Sequence, residues 1–197
     1  CSTSVGPSDA ATDDAAMPTR TVTGSVSFPA GVTADPTSFS VLSFVESADV
    51  EADGSFSVRV LDAALPQVVL LAQGASAPSL LGYVAPGDDT IVIDVSSTIE
   101  AMVSMSPYMT MLSGNDREEV IEFAVGKYGW QDLTAAVAAT LGADAAGWLG
   151  TPSGIGEAQL AAEVAIEALR DFPGGALSQA QPWIEDATGD TVDFVNP

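Results

Sequence analysis

The chain contains no histidine, and that absence excludes more chemistry than any motif present suggests. Histidine titrates closest to neutral pH. Without it the usual general base, the Ser-His-Asp and Cys-His nucleophilic arrangements and imidazole metal ligands all go together. There is one cysteine, Cys1, so no internal disulfide, zinc knuckle or iron–sulfur site can be built. Basic residues are nearly as scarce: Arg20, Arg59, Arg117, Lys127 and Arg170 stand against 27 acidic residues, for a formal net charge of −22. A field of that sign repels phosphate backbones and anionic lipid, which argues against nucleic acid as a partner and against membrane attachment through a basic patch. An unbroken apolar run is missing too. Ala63 to Pro86 carries no charged residue, yet Pro66, Gln67, Gln73, Gly74, Ser76, Pro78 and Gly82 interrupt it, whereas a membrane span needs about 20 predominantly apolar residues. Two buried strands and a turn fit that stretch better. No phosphate-cradling glycine loop or nucleotide fingerprint occurs. The expectation is a protein without an active site and without a cofactor.

What is present is enough to fold. Of 197 residues 47% are hydrophobic, ordinary for a chain able to bury a core. The organising stretch runs from Val50 to Val60. Asp53-Gly54 is a tight-turn pair, because glycine accepts a positive φ and aspartate bonds its own backbone. After it Phe56, Val58 and Val60 alternate with Ser55, Ser57 and Arg59, the period of a half-buried strand. Further strand signals cover Thr21 to Phe28, Ser38 to Val45, Gln67 to Ala72, Ser79 to Ala85 and Thr90 to Val95, divided by Gly/Pro/Asp turns such as Pro86-Gly87-Asp88-Asp89. Phe39 and Val41 on one face, with Leu42 and Phe44 on the other, read as a central strand. About seven short strands at this spacing predict an antiparallel β-sandwich over residues 20–95.

Beyond Val95 the hydrophobic period changes from two to 3.6. Ser97-Thr98-Ile99-Glu100 and Asn115 with Glu118 read as helix caps. Val120, Ile121, Ala124, Val125 and Tyr128 then make one stripe, stopped near Gly129. With the short helix opened at Ser97 and limited by Pro107, Gln131 to Leu141 makes a third helix and Glu157 to Asp171 a fourth, with Leu160, Ala161, Val164, Ala165, Ala168 and Leu169 opposite Glu157, Glu163, Glu167 and Arg170. The fold class is therefore α+β: the sandwich, then a region of three or four amphipathic helices over 96–197 with an irregular tail, in which Val192, Phe194 and Val195 are the residues for a last strand or a docked tail.

Two resemblances add to this reading. Cys1 followed by Ser2-Thr3-Ser4 and a polar, Pro/Ala/Asp-containing tether over 1–19 resembles a bacterial lipoprotein after signal-peptide removal. That resemblance implies lipidation of Cys1 and an extracytoplasmic site of action, the membrane being met through that lipid alone. Thr21-Val22-Thr23-Gly24-Ser25-Val26, followed by Val50-Glu51-Ala52-Asp53-Gly54-Ser55-Phe56-Ser57-Val58, resembles the carboxypeptidase regulatory-like, transthyretin-like β-sandwich domains of exported bacterial proteins. The resemblance covers roughly residues 20–95 and implies a non-catalytic spacer, stabiliser or binding platform, with no catalytic residue to carry over.

Three groups remain as candidates for contact with other molecules. Trp130, Trp148 and Trp183 lie in the helical half, where packing is the ordinary role of such rings and an interaction surface the alternative. Asp49-x-Glu51-x-Asp53-Gly54 matches the start of a Ca²⁺ loop, but its twelfth position is Val60 instead of a bidentate glutamate, so the stretch reads as a turn. Asp186, Asp190 and Asp193 form a looser acidic group. The sequence thus leads to a lipid-anchored extracytoplasmic lipoprotein acting as a structural or protein-binding accessory subunit of an envelope or membrane complex. A pilin-like or surface-filament subunit, in which the N-terminal segment around Arg20 is cleaved or a strand is donated between subunits, and a carbohydrate-binding module are the alternatives.

Overall fold

A computed structural model describes residues 17–143, 147–149 and 151–173, with the backbone of 184–185 and 191–192. Seven strands come first: β1 (Thr19–Val26), β2 (Ser40–Leu42), β3 (Ser47–Asp49), β4 (Ser55–Leu61), β5 (Gln67–Ala72), β6 (Pro78–Val84) and β7 (Thr90–Ile93). They form two sheets, ordered β4-β1-β7 and β3-β2-β5-β6. Four helices follow: α1 (Val95–Ser104), α2 (Gly114–Ala124), α3 (Trp130–Ala143) and α4 (Pro152–Asp171). The expected α+β class, a sandwich followed by helices, is what the molecule has. Of the tail, β8 (Ile184–Glu185) and β9 (Thr191–Val192) pair antiparallel; Phe194 and Val195 lie outside the described residues.

The alternation in β4 does what its period demands. Phe56, Val58 and Val60 are buried, while Ser57 and Arg59 face solvent. Its partner β1 runs antiparallel to it, from Thr19↔Leu61 to Ser25↔Ser55. Across the sandwich Val41, Val69, Leu71 and Leu80 complete the layer, each buried aliphatic side chain contributing about 1.5–3 kcal/mol relative to exposure. The core does not stop at the sheets. Ile99 and Val103 of α1, Leu133 of α3 and Val164 of α4 belong to the same buried cluster.

The Asp53-Gly54 turn forms as expected: Gly54 has φ 84°, its N–H donates to the Glu51 carbonyl at 2.9 Å, and the Asp53 carboxylate accepts from the Ser55 N–H at 2.9 Å. It does not join two neighbours of one sheet, however. β3 pairs with β2 and β4 pairs with β1, so this turn carries the chain from one sheet to the other. One pair departs from the antiparallel expectation. β1 and β7 run parallel, Thr23↔Thr90 to Val26↔Ile93, which alternation within either strand cannot reveal. β2 is central, as its apolar residues predict, but only three residues long; Phe44 lies beyond it and is 81% exposed.

The helix starts differ from expectation for local reasons. α1 is capped by Asp94, whose carboxylate accepts from the Ser97 N–H while the Ser97 hydroxyl accepts from the Asp94 N–H, both at 2.9 Å. Ser97 is therefore the third helical residue instead of the cap, and Glu100 lies inside the helix. The cap of α2 is Ser113 and not Asn115, since the 3-10 turn Met109–Met111 delivers Leu112 extended just before it. That helix ends at Ala124, leaving Val125 half exposed and Tyr128 at φ 50°. α4 starts five residues before Glu157, because Thr151 caps it and Pro152, whose missing N–H costs nothing in the first turn, opens it. Two assignments on α4 are corrected: Leu160 is exposed, and Glu157 is 4% exposed instead of solvated. The core stripe of α4 is Ala161, Val164, Ala165 and Ala168.

Candidate functional site

A sheet edge presents unpaired backbone groups, and the two sheets built from β1 to β7 have four such edges to manage. At β4 they are met by side chains. The outward N–H of Arg59 donates to Glu46 Oε1 at 2.7 Å, and its carbonyl accepts from the Ser43 hydroxyl at 2.6 Å. Gln67 does the same for Leu61, accepting from its N–H at 3.0 Å and donating to its carbonyl at 2.5 Å. At β6 the first turn of α1 does the work: the Thr98 hydroxyl accepts from the Leu81 N–H at 3.0 Å, and the Ser97 hydroxyl donates to the Leu81 carbonyl at 2.8 Å. Further along, the Trp148 indole donates to the Ser79 carbonyl. The β3 edge is three residues long and polar, two of the ordinary protections.

β7 is different. On its β1 side the Thr23 N–H donates to the Asp89 carbonyl at 3.0 Å and the Ser27 N–H to the Ile93 carbonyl at 2.9 Å. In a parallel ladder the residues between, Thr90 and Val92, then turn their N–H and C=O the other way. No partner for them occurs among the described residues. That open edge borders a groove of about 280 Å³ lined by Tyr83, Asp88, Thr90, Ile91, Val92, Asp94, Ser96, Ser97 and Glu100.

Its electrostatics are one-sided. Asp88 and Asp94 flank β7 in the chain, Glu100 lies one and a half helical turns into α1, and Glu118 of α2 feels Asp88. Burial pushes the Glu100 carboxyl above the ordinary glutamate value, and the charges of Asp94 and Asp88 push it further; the Ser96 hydroxyl, donating at 3.4 Å, acts in the opposite sense. Glu118 is raised by burial, then by Asp88 and Glu122. Burial and the Glu118 charge likewise raise the Tyr83 phenol, against the pull of Arg117. Arg117 itself is buried, donates to the Leu112 carbonyl at 3.3 Å and the Ser104 hydroxyl at 3.5 Å, and is lowered by that burial. Arg20 does not pair with the groove carboxylates: it directs its guanidinium at the carbonyls of Asp88 and Ala85, with the Asp89 carboxylate at 3.8 Å.

Two of the acids also hold the backbone. Asp94 caps α1, and Asp88 Oδ2 accepts from the Ala85 N–H at 3.1 Å, closing the turn before β7. Both carboxylates are thus fixed in place beside the strand. The arrangement offers main-chain donors and acceptors, an apolar step at Ile91 and Val92, and a negative field.

The residues singled out from sequence lie elsewhere. Trp130 opens α3 and Trp148 precedes α4; both are buried in the core, 6% and 1% exposed, and neither presents a ring face to solvent. Cys1, Trp183, Asp186, Asp190 and Asp193 lie outside the described residues. Asp53 is engaged in its turn, Asp49 accepts from the Ser40 hydroxyl at 3.3 Å, and among the described residues no group of three or more Asp, Glu, His or Cys is arranged to hold a metal ion. The sequence motifs do not single out the groove residues Tyr83, Asp88, Thr90, Val92, Asp94 and Glu100. A signal existed: Asp88, Asp94 and Glu100 recur at six-residue intervals around a strand in which exposed Thr90 and Val92 alternate with Ile91 and Ile93. Compared with known protein families, with curated proteins and with solved structures, the chain matches none.

Proposed function

We propose that this chain is a non-catalytic, protein-binding accessory subunit acting outside the cytoplasm in an envelope or membrane complex. The observation that carries the binding half is the edge of β7, which has no partner among the described residues and lies beside an acidic groove in a fold that caps β4 and β6 with side chains. Unprotected edges are liabilities for a protein that works alone and docking lines for one that does not. The resemblance of residues 20–95 to transthyretin-like modules, which serve as binding platforms, belongs to the same proposal. So does a lipid on Cys1, which rests on sequence alone; intact mass of the protein taken from its native membrane tests it, and an unacylated Cys1 removes it.

Site-directed photo-crosslinking in the native cell tests the binding half. A photoreactive residue at Ser96, which lines the groove, is expected to capture a distinct protein; the same residue at exposed Ser153, at the start of α4, provides the comparison. Absence of any captured protein from both positions, together with a monomeric native mass, would sink the proposal.

A further inference from the structure

The groove beside β7 has a chemistry that selects its occupant. We infer that an extended, Lys/Arg-bearing segment of a foreign protein adds to β7 as a further strand; this rests on the protein-binding reading above and names what the partner must present. Thr90 and Val92 offer two N–H and two C=O groups on one line, pointing away from β1. A strand lying about 4.8 Å away supplies the matching groups, which is how sheets are extended by peptides. The four residues of β7 set a short contact, bounded by the Asp88-Asp89 turn at one end and by Asp94, where α1 begins, at the other. Val92, 46% exposed, gives one apolar cross-strand contact on the outer face.

Charge decides what kind of strand it is. Asp88 and Asp94 flank β7, Glu100 lines the same groove, and Arg20 is engaged with the turn carbonyls. An incoming cationic side chain is attracted, and an acidic one is repelled. That criterion disqualifies the chain's own segments. Residues 1–16 contain no Lys or Arg and carry Asp9, Asp13 and Asp14; residues 174–197 contain none and carry Glu185, Asp186, Asp190 and Asp193. A second copy brings a net charge of −22. The occupant is therefore foreign and basic.

Fluorescence anisotropy with a labelled peptide of about six residues, a usual strand length, alternating Lys with Val, tests this on the full chain; a peptide with Glu in place of Lys is the control. The Lys peptide is expected to bind and to weaken about tenfold when salt screens the groove, and the Glu peptide to show no binding. Amide exchange at Thr90 and Val92 should slow on peptide addition. Val92→Pro deletes one outward N–H without breaking the ladder to β1, so the variant should keep its circular dichroism and melting transition yet lose binding about tenfold or more. Glu100→Gln should weaken binding severalfold and flatten its salt dependence. If Val92→Pro does not fold, exchange at Thr90 and Val92 in the unsubstituted chain decides. Peptide binding that leaves those amides unprotected overturns strand addition while the crosslinking result stands; loss of both peptide binding and groove crosslinks overturns strand addition and the protein-binding reading together. Concentration-dependent dimers that protect the same amides overturn the foreign partner.

Discussion

A methyl group added at Gly24 would meet the Ile91 carbonyl oxygen and the Phe56 ring, whose Cζ lies 2.6 Å from the position it would take. Glycine is required there by space and not by φ, because β1 is squeezed between β4 and β7 where both partners approach. Gly24→Ala should therefore destabilise the fold by roughly 1–3 kcal/mol, the range for overpacking, read as a lower midpoint in urea. A midpoint unchanged from that of the parent chain would show that β7 moves aside freely. Glu157 supplies a second residue-scale case. It is buried on α4, and its Oε1 accepts from the Thr140 hydroxyl of α3 at 2.6 Å, while Oε2 has no partner among the described residues. Thr140→Val deletes the donor and leaves a buried carboxylate unpaired, so it should cost about 1–3 kcal/mol, with Thr140→Ser restoring most of the loss. Equal stability of the Val and Ser variants would remove the hydrogen bond from the account.

At the scale of elements, protection of strand edges is the recurring device, and it can be tested by removing one protector. Gln67→Ala strips both partners from Leu61 without touching Glu46 or Ser43, which hold Arg59. Amide exchange should accelerate at Leu61 and stay unchanged at Arg59; acceleration at both would mean that the edge frays as a unit. Elements themselves were largely legible from the chain. Periods of two and 3.6 placed β4, β5, β6 and β7 within a residue or two and announced the change to helices after Val95. What the periods lack is partner information. Nothing in Thr21–Val26 or Thr90–Ile93 says that these strands lie side by side and parallel, since the pairing spans 67 positions and leaves each alternation unaltered. The caps differ from expectation because several Ser, Asn, Asp and Thr residues cluster at the starts of α1 and α2, and only the preceding strand or turn selects among them: Asp94 directly follows β7, and Ser113 follows the extended Leu112. Glu157 falls on the polar face of the α4 helical wheel, which cannot show that Thr140 of α3 lies against it. The groove escaped for the same reason, being defined by which strand edge stays unpaired.

The whole molecule carries a net charge of −22, and its stability should follow pH in a way that separates partly buried carboxylates from exposed ones. Glu100 and Glu118 have folded pKa values raised above the ordinary 4.5, chiefly by burial, so the folded state binds their protons more tightly than the unfolded state does. Their ionisation opposes folding above the folded pKa, and that opposition is relieved as pH falls from there toward 4.5. Glu46, Asp53 and Asp171 act in the opposite sense. Hydrogen bonds from Arg59, Ser55 and Arg170 hold them below their ordinary 4.5 and 3.8, so their contribution is complete above those values and is lost as pH falls through the folded ones. The two sets act in adjacent windows. Stability should rise as pH drops from neutral toward the ordinary glutamate range, pass a maximum there, and decline below it; urea midpoints across this range measure the curve. The double variant Glu100→Gln, Glu118→Gln should flatten the rise on the neutral side and leave the acid decline in place, because the lowered group is a different set of residues. Relief of general self-repulsion also favours the fold as carboxylates protonate, but high salt screens exposed charges more than partly buried ones. A rise that persists in high salt and disappears in the double variant assigns it to Glu100 and Glu118. A rise abolished by salt alone, with the double variant unchanged from the parent chain, would assign it to the molecule's total charge and leave Glu100 and Glu118 without a special role.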